Sequence, residues 1–330
     1  MLNKDKVKLG QINYFKGVSE VVATNFSEDK LLFGVKDVKE IPNSLVKRLE
    51  GNGFAFHTLD RHSLGGRAID LNLINPITGA YMTGSSSGTA INVRSGINDL
   101  GIGTDGGGSV LAPAISLNLF AFISPLIESE YLKEYKKTST DGIVFSPSIG
   151  FIAKDYQVLN QAINTTIKLD EVDEKEVLAI VDFKEENLKD IPNVSYKKVD
   201  FCDHNSSRAN LIDFLNANLN DCDFLVFSES KIDLLGFGDS VFGNFDSYCK
   251  EIQKKANKGF LRVCNLVNAS AISIPKKELA SAYLIICQSD KEKISKALKY
   301  ASKLVVEDNK LLDKYLTNIS NYTNHFIKES

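Results

Sequence analysis

Apolar and polar positions along this chain follow two different periods. Short continuous apolar runs, "LLFGVKD" (residues 31–37), "EVLAIVDF", "DFLVFSES", "NASAISIP" and "SAYLIICQS", have the length and residue types of strands buried on both sides. Between them lie segments with helical spacing. In "KDYQVLNQAINTTIKL", Val158, Leu159, Ala162, Ile163 and Ile167 share one helical face. "NSLVKRLEGNGF" reads as a shorter helix, with Leu45, Val46 and Leu49 on its apolar side, Asn43 or Ser44 as cap, and Gly51 closing it. "DKEKISKALKYASKLV" adds another. Strands alternating with helices predict an α/β sandwich with a largely interior sheet. The polar stretch "KLDEVDEKE" (168–176) is the best candidate for a surface linker. One continuous domain over 1–330 is nevertheless the expectation, with 307–330 a C-terminal extension of unassigned role.

Composition narrows the function classes. The 330 residues are 43% hydrophobic and 25% charged, with a net charge of −3, which is enough apolar matter for a full core. That charge recruits neither nucleic acid nor an anionic membrane, and the lysines are scattered rather than blocked. No stretch is apolar for long enough to span a bilayer, and the start lacks a signal-peptide core, so a cytoplasmic location is expected. Cys202, Cys222, Cys249, Cys264 and Cys287 show no CxxC spacing and read as reduced, mostly buried thiols. The four histidines are unclustered, so neither a metal site nor a histidine-based triad is suggested, and no cofactor is expected.

Chemistry concentrates between residues 83 and 114, "TGSSSGTAINVRSGINDLGIGTDGGGSVLAPA". Three glycines before Ser109 allow successive backbone N–H groups to face one point, a nest for a phosphate or for the oxyanion of a tetrahedral intermediate. A phosphate loop normally ends Gly-Lys-Ser/Thr, and no lysine neighbours Ser109 in sequence. The oxyanion alternative requires a nucleophile, which Ser109 supplies, and a base within reach. Lys36, ending an apolar strand, can serve if burial disfavours its charge. Plain loop and surface lysine are the competing readings.

"GSSSG" followed by "GTDGGGSVLAP" resembles the amidase signature family, whose segment reads roughly GGSSGG, then GTDxGGSxRxP. Ser85 and Ser109 are 24 positions apart, as in that family. "FGVKD" resembles the family's strand ending in the catalytic lysine. Weaker likeness continues through "SPSIGFIAKDYQVLNQAI", "DCDFLVFSES" and "CNLVNASAISIP", so it spans about residues 31–304. The resemblance implies the amidase signature fold, a mixed α/β sheet with helices on both faces, and a Ser-cisSer-Lys triad. Ser109 would be the nucleophile, Ser85 a relay with a cis bond to Gly84, and Lys36 the base. Gly106, Gly107 and Gly108, with Ser109, would form the oxyanion hole. Ser86 would join the lysine network, and Thr104 and Asp105 would fix the loop.

Departures accompany the likeness. Leu111 stands where the family has arginine, Thr83 and Ser87 replace glycines, and "LNLFAFISP" replaces CGxxGxKPT. The chain is also short between Lys36 and Ser85, which implies a pocket that is more open, differently lined or completed by a partner. The leading expectation is a serine amidohydrolase cleaving a small-molecule amide through an acyl-enzyme. Its alternatives are a protein that transfers the acyl group or ammonia together with a partner, and a weakly catalytic binding or scaffold descendant. Either a homodimer or a partner subunit is compatible with the sequence.

Overall fold

A sheet buried on both faces needs strands that are apolar throughout, and the runs above supply them. The computed structural model describes residues 1–139, 141–172, 177–181, 188, 191–199 and 204–323. Its strands are β1 (Val18–Val21), β2 (Leu31–Lys36), β3 (Phe54–Asp60), β4 (Ile69–Ile74), β5 (Tyr81–Thr83), β6 (Leu100–Asp105), β7 (Phe120–Ser124) and β8 (Lys137–Thr138). There follow β9 (Val144–Phe145), β10 (Ser148–Ala153), β11 (Val177–Val181), β12 (Val194–Lys198), β13 (Phe224–Glu229), β14 (Ala269–Pro275) and β15 (Ala282–Gln288). β4 pairs with β5 and β8 with β9. The other 11 form one mixed sheet, in the order β1-β3-β2-β6-β10-β7-β14-β15-β13-β11-β12. All strands from 18–153 in this sheet lie in one half and all from 177–288 in the other. Among the described residues the halves meet where β7 pairs with β14, in the register Ala271↔Ile123, Ile272↔Phe122 and Ser273↔Ala121.

Helices cover both faces, as expected. On one side α2 (Asn43–Glu50), α6 (Tyr156–Ile167) and α9 (Lys291–Ser302) bury Leu45, Leu49, Leu159, Ile163, Ile294 and Leu298 against the sheet. On the other, α3 (Ser87–Arg94), α4 (Leu111–Ser116) and α7 (Arg208–Asn218) contribute Ile91, Val93, Ile115, Leu211 and Leu215. The expected caps of α2 need correction. Asn43 and Ser44 lie inside the helix, whose N-cap is Pro42. Proline's fixed φ already gives the extended entry that a cap residue adopts. α6 is entered through Asp155, which accepts from Gln157 N at 2.7 Å. Residues 173–176 of the expected linker lie outside the described residues. So does Cys202; Cys222, Cys264 and Cys287 are buried free thiols, and Cys249 is a half-buried one.

The remaining helices are α1 (Asn3–Ile12), α5 (Ser129–Leu132), α8 (Ser247–Lys254), α10 (Lys310–Leu316) and α11 (Ser320–Thr323). The segment leading into α10 folds back over α3. Arg94, in the last turn of α3 and fully buried, takes Asp308 at 2.7 Å and Asp313 at 2.9 Å. Asp313 also pairs with Lys154. Among the described residues no helix is long and apolar enough to cross a membrane.

Candidate active site

β2 and β6 run parallel, with Val35 opposite Ile102, so their C-terminal ends deliver Lys36 and Thr104-Asp105 side by side. Lys36 is only 3% exposed. Its Nζ stands 2.7 Å from Ser85 Oγ and 3.1 Å from Thr104 Oγ1. Burial pulls the Lys36 ammonium from 10.5 down to about 7; Lys137 adds to this, while Asp105 and Glu40 oppose it. The Lys137–Glu40 pair, 2.6 Å apart, sits on the same cavity wall.

Ser85 occupies the turn between β5 and α3, and the Gly84–Ser85 peptide is cis. A Cβ at Gly84 would lie 2.3 Å from the carbonyl oxygen of Arg67, so only glycine fits. The loop over 63–68 grips this turn: Gly84 N donates to Ala68 O at 2.9 Å, and Ser63 N to Ser85 O at 3.1 Å. Ser86 N donates to Ser109 O at 3.1 Å, tying the two serine-glycine clusters together. The Ser86 hydroxyl, fully buried, has no hydrogen-bond partner among the described residues, so it does not join the lysine network.

The loop after β6 is held from within. Asp105 accepts from Gly108 N at 2.7 Å, Val110 N at 2.7 Å and Leu111 N at 3.3 Å. Burial raises its carboxyl above the ordinary range, against the pull of those N–H groups and of Lys36. Gly108 adopts φ +96°, and a Cβ there would lie 3.2 Å from Leu261 O. The segment carrying Leu261 is fixed by Glu229, almost fully buried, which accepts from Gly259 N at 3.0 Å and Leu261 N at 3.1 Å. Ser109 is half-buried and lines a cavity of about 530 Å³ with Lys36, Ser85, Gly106 and Gly107. Among the described residues no hydrogen bond joins the Ser109 and Ser85 hydroxyls.

Besides that of Ser86, two expected roles change. Gly108 N–H is committed to Asp105, leaving the N–H groups of Gly106, Gly107 and Ser109 as the loop's candidate donors. Thr104 serves Lys36 rather than the loop, which Asp105 orders. Glu229 and the Lys137–Glu40 pair are additions that sequence reasoning misses, because neither carries a spacing signal. No cluster of three or more metal-ligating side chains occurs among the described residues.

No family model matches this sequence, and no curated protein matches it. Solved structures do. The chain is similar to a glutamyl-tRNA(Gln) amidotransferase component from Thermotoga maritima, with a TM-score of 0.64 and 15% identity over 93% of each chain. It is similar to Kluyveromyces lactis allophanate hydrolase, with a TM-score of 0.58 and 13% identity over 92% of this chain and 70% of that one. A 6-aminohexanoate cyclic dimer hydrolase follows at 0.55 and 11%, over 97% and 94%. The fold is the one these amidase-type proteins share.

Proposed function

We propose that the chain is a serine amidohydrolase of the amidase signature type, cleaving a C–N amide bond through an acyl-enzyme. One observation carries the reading: a buried lysine, its pKa lowered to about 7, lies 2.7 Å from Ser85 in a cavity shared with Ser109. With Lys36 neutral, the same contact runs from the Ser85 O–H to Nζ. Ser109 Oγ attacks the amide carbonyl carbon, its proton moves to Ser85, and the proton of Ser85 moves to Lys36. The oxyanion forms against the N–H groups of Gly106, Gly107 and Ser109. As the C–N bond breaks, the amine leaves with the proton returned through Ser85. Water then attacks the ester by the same route, releasing the acid and restoring Ser109.

A fluorophosphonate probe tests this directly. Wild-type protein should carry one adduct on Ser109, absent in Ser109→Ala. Folded wild-type protein that acquires none would overturn the reading. Likeness to an amidotransferase component favours transfer as the second reading. A copurifying partner separates the two: turnover that depends on it, with the acyl group or the ammonia recovered on an acceptor that the partner binds, marks transfer.

A further inference from the structure

β2 and β3 run parallel and end side by side, with Lys36 opposite Asp60. The short segment that closes β3 bonds to both members of the Lys36–Ser85 contact. Asp60 O accepts from the N–H of Asp37, the residue after Lys36, at 3.0 Å, and Ser63 N donates to Ser85 O at 3.1 Å. Arg61 O accepts from Gly88 N, in the first turn of α3, at 3.1 Å. One turn further along that helix, Asn92 Nδ2 donates to Asp60 Oδ1 at 2.7 Å. A single residue, Asp60, thus holds the Lys36 segment through its main chain and the helix that follows Ser85 through its side chain.

Asp60 is fully buried. Its Oδ1 also takes the Thr58 hydroxyl at 2.7 Å, and Thr58 Oγ1 in turn accepts from Asn98 Nδ2 at 2.8 Å. Oδ2 has no hydrogen-bond partner among the described residues. It packs on β2 at Gly34, where an added Cβ would lie 2.4 Å from both Asp60 Oδ2 and Asn98 Nδ2. Gly34 and Lys36 share one face of β2, so the carboxyl rests on the side of the strand from which the lysine reaches Ser85. The bonded partners of this carboxyl are an amide and a hydroxyl. Burial raises it from 3.8 to about 7, against the pull of Thr58, Asn92 and Thr89. Asp60 does not line the cavity shared by Lys36, Ser85 and Ser109, so it touches no substrate there.

We infer that Asp60 is a positioning residue: through Asn92 it fixes α3, and with it Ser85, at bonding distance from Lys36. The effect on rate rests on the hydrolase reading above; the effect on Lys36 does not. The clamp needs an acceptor at Oδ1 rather than a negative charge, so asparagine should replace Asp60 and alanine should not.

Asp60→Ala should lower the limiting rate of fluorophosphonate labelling at Ser109 by about a hundredfold, with the half-saturating probe concentration nearly unchanged. Asp60→Asn should keep most of the rate. Asn92→Ala, which removes the donor from the helix side, should copy Asp60→Ala, and the double variant should be no slower than either single one. A second readout needs no reaction: carbon-13 NMR of the lysine Cε groups, with the Lys36 signal assigned by its loss in Lys36→Met. Its midpoint should rise from near 7 by about one pH unit in both alanine variants, as the released helix lets water reach the ammonium. Wild-type labelling and an unmoved Lys36 midpoint in both variants, with only a lower urea midpoint, would make Asp60 structural and overturn the inference. So would an Asp60→Asn protein as slow as Asp60→Ala, since charge and not the bond would then matter. Should Asp60→Ala fail to fold, Asn92→Ala decides. A shifted Lys36 midpoint with no labelling of the wild type leaves Asp60 in its role and removes the hydrolase reading. Brisk labelling indifferent to both alanine variants does the reverse.

Discussion

Replacing Lys36 by methionine should abolish turnover and, at neutral pH, make the protein more stable. The lysine's pKa falls from 10.5 to about 7 on burial, so between those values the unfolded chain binds the extra proton. Stability of the wild type therefore rises with pH across that window through this group, and below about pH 7 the group's contribution no longer varies with pH. At ~1.4 kcal/mol per pH unit, holding Lys36 in place costs about 4 kcal/mol at pH 7 and less than about 1 kcal/mol at pH 10. Methionine removes this cost but strips Ser85 Oγ and Thr104 Oγ1 of the partner they share, a loss of roughly 2 kcal/mol. Lys36→Met should then exceed the wild type by about 2 kcal/mol at pH 7 and fall below it by about 1 kcal/mol at pH 10. Urea unfolding of both proteins at the two pH values reads the difference, in which titrating groups remote from Lys36 cancel; Asp105 and Glu40, which feel its charge, do not. A stability difference that does not change with pH would refute the account of Lys36 as a desolvated, easily neutralised amine.

Other expected outcomes follow from the same geometry. Turnover should climb between pH 6 and 8 with a midpoint near 7, because only neutral Lys36 accepts the proton; a profile flat over about that range, with acylation rate-limiting, counts against it as the base. Glu229→Gln places an amide donor against Gly259 N–H or Leu261 N–H and loosens the support under Gly108. As a positioning residue it should lower kcat by about a hundredfold with KM nearly unchanged, whereas a purely structural role would show as lost stability with normal kcat. The pair Asp308→Asn and Asp313→Asn leaves the buried Arg94 guanidinium without its two carboxylates. Unfolding should register a loss of about 3–5 kcal/mol.

Local features are readable where one residue type decides them. The apolar run ending in Lys36 marks its strand to within a residue, and the glycines around Ser85 and Ser109 point to special backbone. What escapes depends on contacts that no local pattern encodes. Thr104 reaches Lys36 across 68 positions because β2 and β6 pair in parallel. Gly108 reads as an open donor in sequence, yet the carboxylate of Asp105 claims its N–H. The expected α2 cap fails because proline's rigidity replaces a side-chain hydrogen bond. Arg94, an ordinary charged residue at a helix end by sequence, is enclosed by acids 214 and 219 positions away.

The two-part sheet has a consequence for synthesis. By the time β10 is complete, the nascent chain holds Lys36, Ser85, Thr104, Asp105 and Ser109 and six strands of the sheet. One margin at that stage is β7, five residues that are all buried in the finished protein. Such an open apolar edge readily recruits a strand from another chain. Its natural partner, β14, begins only at Ala269, after the Glu229 and Leu261 segments that support the Gly108 turn. The interval between β10 and β14 is therefore when this protein is most exposed to aggregation on the ribosome.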